Sequence, residues 1–272
     1  MTRFDLFLSV AGSIATPLYR EFPPADDLRA FVACTWVRLV RQSGGKAPDA
    51  ILPDGCADIM VFNDQPPRIA GPDAVTRWVK LHDRLAITGI RLRPGACRAI
   101  LGCSAEHLVN GSMLLSDVAI GATELHRRLL LSDNLCIRLA HLESWVRFAL
   151  ERATANDRTV IAACRMLGAN PQIEVGDVAR HFDWNARMIH RQFIAACGYG
   201  PKHFQRIMRV QGALRAAQST LVAGLGELAI AAGYADQAHM TRDFREITGF
   251  TPAAYFADTA APGWGAWISE DW

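Results

Sequence analysis

Between Trp184 and Gly226 the chain has no aspartate or glutamate, while Arg187, Arg191, Lys202, Arg206, Arg209 and Arg215 all fall in that window. A long basic run without acids is the electrostatic footprint of a face that meets phosphate. The spacing inside the run is more specific than its charge. Arg187, His190, Arg191 and Ile194 stand at i, i+3, i+4 and i+7, so on a helix they share one face, with Ile189, Phe193 and Ala196 on the other. Guanidinium and imidazole groups on one exposed helical face are donors suited to base edges in a major groove.

The elements that must position these side chains occur twice. Arg191-Gln192-Phe193 followed by Gly198-Tyr199-Gly200-Pro201 returns as Arg242-Asp243-Phe244 followed by Gly249-Phe250-Thr251-Pro252, each residue displaced by 51. Upstream, Val178-Ala179 matches Leu228-Ala229 at a displacement of 50, so the copies differ by one residue at the turn. Each copy has the grammar of a helix-turn-helix, in which a short helix of small residues is followed by a tight turn and an amphipathic second helix. In the first copy Val175, Val178, Ala179 and Phe182 form the packing stripe, Asp183-Trp184 turns, and Asn185 caps. In the second, Leu225, Leu228 and Ala229 pack, Gly233-Tyr234-Ala235 turns, and Asp236 caps. Met240, Phe244 and Ile247 then face inward, and Ala238, His239 and Arg242 face out, with Gln237 at the exposed start. Pro201 opens a helix that continues to Gln218, a rigid spacer of about 25 Å at 1.5 Å per residue. With the offset of each unit, the two second helices come near one duplex turn apart, about 34 Å.

On these residues the stretch from Ile173 to Tyr255 resembles the DNA-binding domain of the AraC/XylS family of transcription regulators. The most specific part is Leu228-Ala229, Ala232-Gly233-Tyr234, Gln237, His239, Arg242, Phe244 and Thr248-Gly249-Phe250-Thr251-Pro252. Met240 departs from the pattern, which usually has an aromatic core residue there. The resemblance implies base reading by Arg187, His190 and Arg191 in the first unit and by Gln237, His239 and Arg242 in the second. Lys202, Arg206 and Arg209 on the spacer are expected at phosphates, and double-stranded operator DNA is the implied partner, with RNA polymerase a further one. More faintly, Leu52-Pro53-Asp54-Gly55-Cys56-Ala57-Asp58-Ile59 and Gly89-Ile90-Arg91-Leu92-Arg93-Pro94-Gly95 resemble the regulatory half that precedes this domain in part of the family.

Ahead of the duplicated unit the pattern changes twice. Phe31 to Val40, Ala50 to Phe62, Trp78 to His82 and Leu85 to Leu92 are short runs rich in Val, Ile, Phe and Trp, separated by Pro, Gly and Asp. From about Gly95 the period becomes helical, with Leu125, Leu129, Leu135, Leu139, Leu142, Val146 and Leu150 every three to four residues, until Asn170-Pro171 breaks it. The expected fold is α+β: a small β barrel or sandwich with following helices, then an all-α domain of two helix-turn-helix units joined by a long helix. The divisions are 1–115 as a β-rich regulatory domain, 116–168 as a helical linker and dimerisation region, 169–258 as the DNA-binding domain and 259–272 as a Trp-rich tail. A homodimer is expected through Leu125 to Leu150, with Leu139 and Leu142 at its seam, the competing explanation being a stripe buried within one subunit.

At 272 residues, half of them hydrophobic and with a net charge of +2, the composition is that of an ordinary globular protein. No apolar run reaches the roughly 20 residues of a membrane span, so no membrane partner and no signal peptide are expected. The cysteines, seven and without paired spacing, suit a reducing cytoplasm, with Cys34, Cys136, Cys164 and Cys197 read as small buried hydrophobes. Cys97, Cys103 and His107 depart from zinc spacing, and no metal, cofactor or catalytic site is expected. Arg91, Arg93 and Pro94 fit an effector pocket or, as the favoured reading, a charged strand edge, and Pro53-Asp54-Gly55 reads as a turn. The leading function is a regulator whose front half binds a small-molecule effector. Two alternatives stand beside it, an alkyl-accepting cysteine sensor and a front half that only dimerises. Trp264, Trp267 and Trp272 cover an apolar patch or a partner surface.

Overall fold

The computed structural model describes residues 18–40, 48–218 and 224–257. The tail tryptophans Trp264, Trp267 and Trp272 lie outside the described residues. Among the described residues of the front half there are eight strands: β1 (Leu18–Phe22), β2 (Val32–Val40), β3 (Asp49–Ile51), β4 (Ala57–Phe62), β5 (Arg68–Ala70), β6 (Arg77–Val79), β7 (Leu85–Leu92) and β8 (Ser112–Leu114). Six of them pair antiparallel in the order β1-β2-β7-β4-β5-β8, and β3 pairs with β6 as a separate ribbon. The β4 run alternates between buried and half-buried residues, as a strand with two unlike faces must. The run expected from Ala50 to Phe62 is split because Asp54 accepts the Cys56 amide at 2.8 Å, the turn that Pro53-Asp54-Gly55 anticipates.

One sheet face, with Val37, Ile59, Val61, Ile69, Ile90 and Leu92, is covered by α1 (Ala96–Leu101), α2 (Ala122–Leu130) and α3 (Leu135–Leu150). The leucines expected at a dimer seam are spent here. Leu142 is fully buried and Leu139 nearly so, both in the core of their own subunit, so the competing explanation holds. Large apolar side chains that α2, α3 and their approaches do expose are others: Ile120, Leu131, Ile137 and Phe148. Cys136, expected in the core, is exposed at the start of α3.

The opposite sheet face is polar and aromatic. Arg91 on β7 pairs in register with Cys34 on β2 and Asp58 on β4. It is therefore buried on a central strand, which corrects the charged strand edge expected for it. Its guanidinium lies 3.2 Å from Asp58, 3.6 Å from Glu21 and 3.9 Å from Asp54. Trp36 donates its indole N–H to Asp58 at 2.8 Å.

The rear half is helical: α4 (Ala155–Ala169), α5 (Val175–His181), α6 (Ala186–Cys197), α7 (Pro201–Ala217), α8 (Leu225–Ala231), α9 (Gln237–Thr248) and α10 (Pro252–Ala257). The sequence division falls after α4, yet α4 packs with the helices C-terminal to it. Val160, Ala163, Cys164 and Leu167 share one buried cluster with Val178, Ile189, Phe193, Phe204 and Phe244. Asn170-Pro171 ends a helix without ending that core. Leu52 from the front half belongs to the same cluster.

Candidate nucleic-acid interface

The second helices of the two units, α6 and α9, are built alike. Asn185 accepts the Met188 amide at 2.8 Å and Asp236 accepts the His239 amide at 2.7 Å, so both helices start on the expected side-chain caps. Each turn passes through a left-handed residue, Asp183 at φ 55° and Gly233 at φ 82°. Aspartate tolerates that conformation and glycine takes it without steric cost, which is why the two turns differ in sequence and share a shape. Ile189, Phe193 and Ala196 on α6, and Met240, Phe244 and Ile247 on α9, are buried.

Arg187, His190 and Arg191 are exposed on α6, as are Gln237 and Arg242 on α9. The structure thus places five of the six expected readers on open helix faces. His239 differs. It is half-buried, its ring edge-on to Tyr234 at 5.2 Å, with Nε2 3.9 Å from Asp243.

The spacer arginines differ further. Arg206 donates Nε to Asp243 at 2.8 Å and also bonds Glu246, and Arg209 donates to Asp243 at 3.2 Å. Arg209 also stacks over the Tyr234 ring, 5.4 Å from its centre. Guanidinium groups held by a buried carboxylate brace α9 against α7, and the phosphate role expected for both is at odds with that engagement. Lys202, in the first turn of α7, is exposed. Asp243 does not stand out in the sequence, because its partners lie 34 and 37 residues away. Its displacement by 51 from Gln192 is the available signal.

The front half grips both units. Gly198, in the left-handed region at φ 79°, closes α6, and a Cβ there would lie 2.1 Å from Val109 Cγ2 and 3.0 Å from the Ala105 carbonyl. Glycine is thus required twice over. Gln211 on α7 donates to the Pro53 carbonyl at 2.6 Å, His203 Nε2 sits 2.9 Å from the Ala74 carbonyl, and Thr76 donates its amide to the Ile247 carbonyl at 3.0 Å.

Burial raises the pKa of Cys34, Cys56, Cys97 and Cys103 above the ordinary thiol range, and the neighbouring Cys164 together with burial raises that of Cys197. Among the described residues no three His, Cys, Asp or Glu side chains gather as metal ligands, and no helix is long and apolar enough to cross a membrane.

Two capped, outward-facing helices on one duplicated scaffold define a DNA-binding transcription regulator. Residues 178–258 match the family model described as a helix-turn-helix domain, and residues 20–113 match a domain of unknown function, DUF6597. The rear of the chain is a helix-turn-helix domain of the AraC type. Solved structures similar to the chain include ToxT from Vibrio cholerae O395, at 8% identity over 89% of this chain and 96% of that one, with a TM-score of 0.39. They also include ToxT from V. cholerae strain SCE256 with bound unsaturated fatty acid, at 9% identity over 81% and 93%, TM-score 0.39. A third is O395 ToxT bound to (E)-4-(8-methylnaphthalen-1-yl)but-3-enoic acid, at 12% identity over 89% and 98%, TM-score 0.41. No curated protein matches the chain.

Proposed function

We propose that the protein reads a two-part operator by laying α6 and α9 in successive major grooves on one side of the duplex, and that its front half conditions this reading on a small-molecule effector. The observation that carries the proposal is the pair of equivalent open faces, Arg187, His190 and Arg191 on α6 and Gln237 and Arg242 on α9, separated by one continuous 17-residue helix. Such a spacer is about 25 Å long and does not bend freely. In this reading Lys202 meets phosphate, Arg206 and Arg209 hold α9 in place, and His239 contributes to the second half-site from a partly covered position. The DNA-binding part begins at Thr154, because α4 belongs to its core.

The effector half of the proposal is supported by the inner sheet face, where one guanidinium meets three carboxylates. Burial raises the Asp54 carboxyl pKa, with Arg91 opposing. For Arg91, burial acts against the charge, but Asp58 and Asp54 outweigh it and raise its pKa well above normal. Carboxyl oxygens gathered around one guanidinium favour a cationic or hydrogen-bond-donating ligand. The test is selection of duplexes from a random pool by the full chain, followed by thermal unfolding with amine, neutral and carboxylate metabolites. The expected results are a two-part consensus and a rise in melting temperature confined to donors. Enrichment of no sequence would overturn the DNA reading, and stabilisation by no metabolite class would overturn the effector reading.

A further inference from the structure

Position 192 of the first unit and position 243 of the second are equivalent, and each carries a buried polar side chain among the apolar contacts of a reading helix. A buried amide or carboxylate must find partners, since an unmet one costs more than the bond itself returns. The charged partners come from different parts of the chain. Asp243 takes Arg206 and Arg209 from α7, inside the DNA-binding part. Gln192 instead accepts Arg98 Nη1, from α1 of the front half, at 3.0 Å, and exchanges two 3.2 Å bonds with Asn156. Arg98 also donates Nε to Asp157 on α4 at 2.7 Å. One guanidinium therefore joins α1, α4 and α6, and both bonds are charge-assisted, the one to Asp157 between two ionised groups.

We infer that Arg98 is a positioning residue for the first reading helix, so that the front half sets base reading by α6 while the spacer helix sets base reading by α9. The inference rests on the proposed two-part reading. The front half does touch the second unit, through the Thr76 bond to the Ile247 carbonyl and the Trp78 ring beside Phe250, but both contacts lie at the C-terminal end of α9 and neither takes Asp243. At the first unit it supplies the one charged partner of Gln192, the other bonds coming from Asn156 on α4, beside the close fit of Gly198 on Val109 and Ala105. Arg98 is also seven positions along the chain from Arg91, through the short Arg93-Pro94-Gly95 link between β7 and α1. A rearrangement of the inner sheet face has a direct covalent route to this contact.

The test uses the full chain and its selected operator, with Arg191→Ala and Arg242→Ala marking which half of the site each unit reads. Arg98→Ala should reduce discrimination in the first unit's half by about tenfold, the loss of one charge-assisted bond to Gln192, and the near-isosteric Gln192→Leu, which also removes the two Asn156 bonds, by at least as much. Discrimination in the second half should stay within about twofold by the same scale. Arg98→Lys, which keeps the charge and one donor, should recover part of the loss, and Asp243→Asn should show the opposite pattern. A merely structural role would lower affinity for every sequence alike. Equal flattening of both halves, or no change in either, in Arg98→Ala and Gln192→Leu overturns the inference. A wild-type consensus with one half only overturns the two-part reading and the inference with it.

Discussion

Arg191 and Arg242 stand at the same place in the two copies and are both exposed on their helices. If each reaches guanine O6 and N7, truncation to alanine should cost about 1 to 3 kcal/mol and relax preference at one base pair apiece. Titration of each variant against all single-base changes of the operator checks this, and an unchanged preference profile would remove that arginine from the readers. Lys202 and Arg206 are both basic residues of α7, yet they should part company in salt. Lys202→Ala should lower the salt slope of binding by roughly one, whereas Arg206→Ala should leave the slope alone and lower stability, because its charge is already met by Asp243 and Glu246. Salt titrations of the two variants, with thermal unfolding alongside, separate these outcomes. The exposed positions of Arg187, His190, Arg191 and Arg242 were legible in the sequence because helical period puts them opposite the apolar stripe, whereas His239, half-covered by Tyr234, was not. The arginine struts were not, because the acid-free window shows only local charge, and the acids that claim them come from a helix further along the chain.

Elements were legible where a local signal defines them. The caps Asn185 and Asp236, the turn at Gly233 and the proline start of α7 are all set by near neighbours, and all appear as expected. The seam on α3 misled because a buried stripe and a dimer seam share one period, and only the tertiary fold decides between them. Leu142→Asp should therefore abolish folding rather than yield a soluble monomer, since a charge placed at a fully buried position costs well above about 4 kcal/mol. Loss of the cooperative transition in circular dichroism is the expected result, and a folded monomer would restore the seam. The start of α4 carries a pH signature. Thr154 and Asp157 form a reciprocal capping box, and although burial opposes ionisation, the bonds from Thr154 and Arg98 win and hold the Asp157 carboxyl below its ordinary range. A lowered folded pKa means that the stabilisation is present above the unfolded value near 4 and is lost as pH falls through the folded one. The stability gap between wild type and Asp157→Asn, followed by denaturant unfolding, should be constant near neutrality and shrink below about pH 4. A gap that grows on acidification would contradict this assignment.

At the scale of the whole molecule, the division at Asn170-Pro171 was legible as a helix break, but a break is not a core boundary. The contacts of Val160, Cys164 and Leu167 with α5, α6 and α7 residues are long-range and leave no local mark. A fragment from Thr154 to the C-terminus should unfold cooperatively and bind DNA, and one from Ala169 should be markedly less stable for want of α4, as thermal melts of the two would show. In the proposed reading, operator recognition as a whole depends on α7 fixing the spacing and phase of α6 and α9. The most direct test is the affinity of the full chain for its selected operator with about 5 base pairs inserted between the halves, roughly half a turn of duplex. The rigid spacer predicts that the insertion costs as much as scrambling one half-site outright, because α6 and α9 can then no longer face the same side of the DNA. Affinity unchanged by the insertion would contradict it.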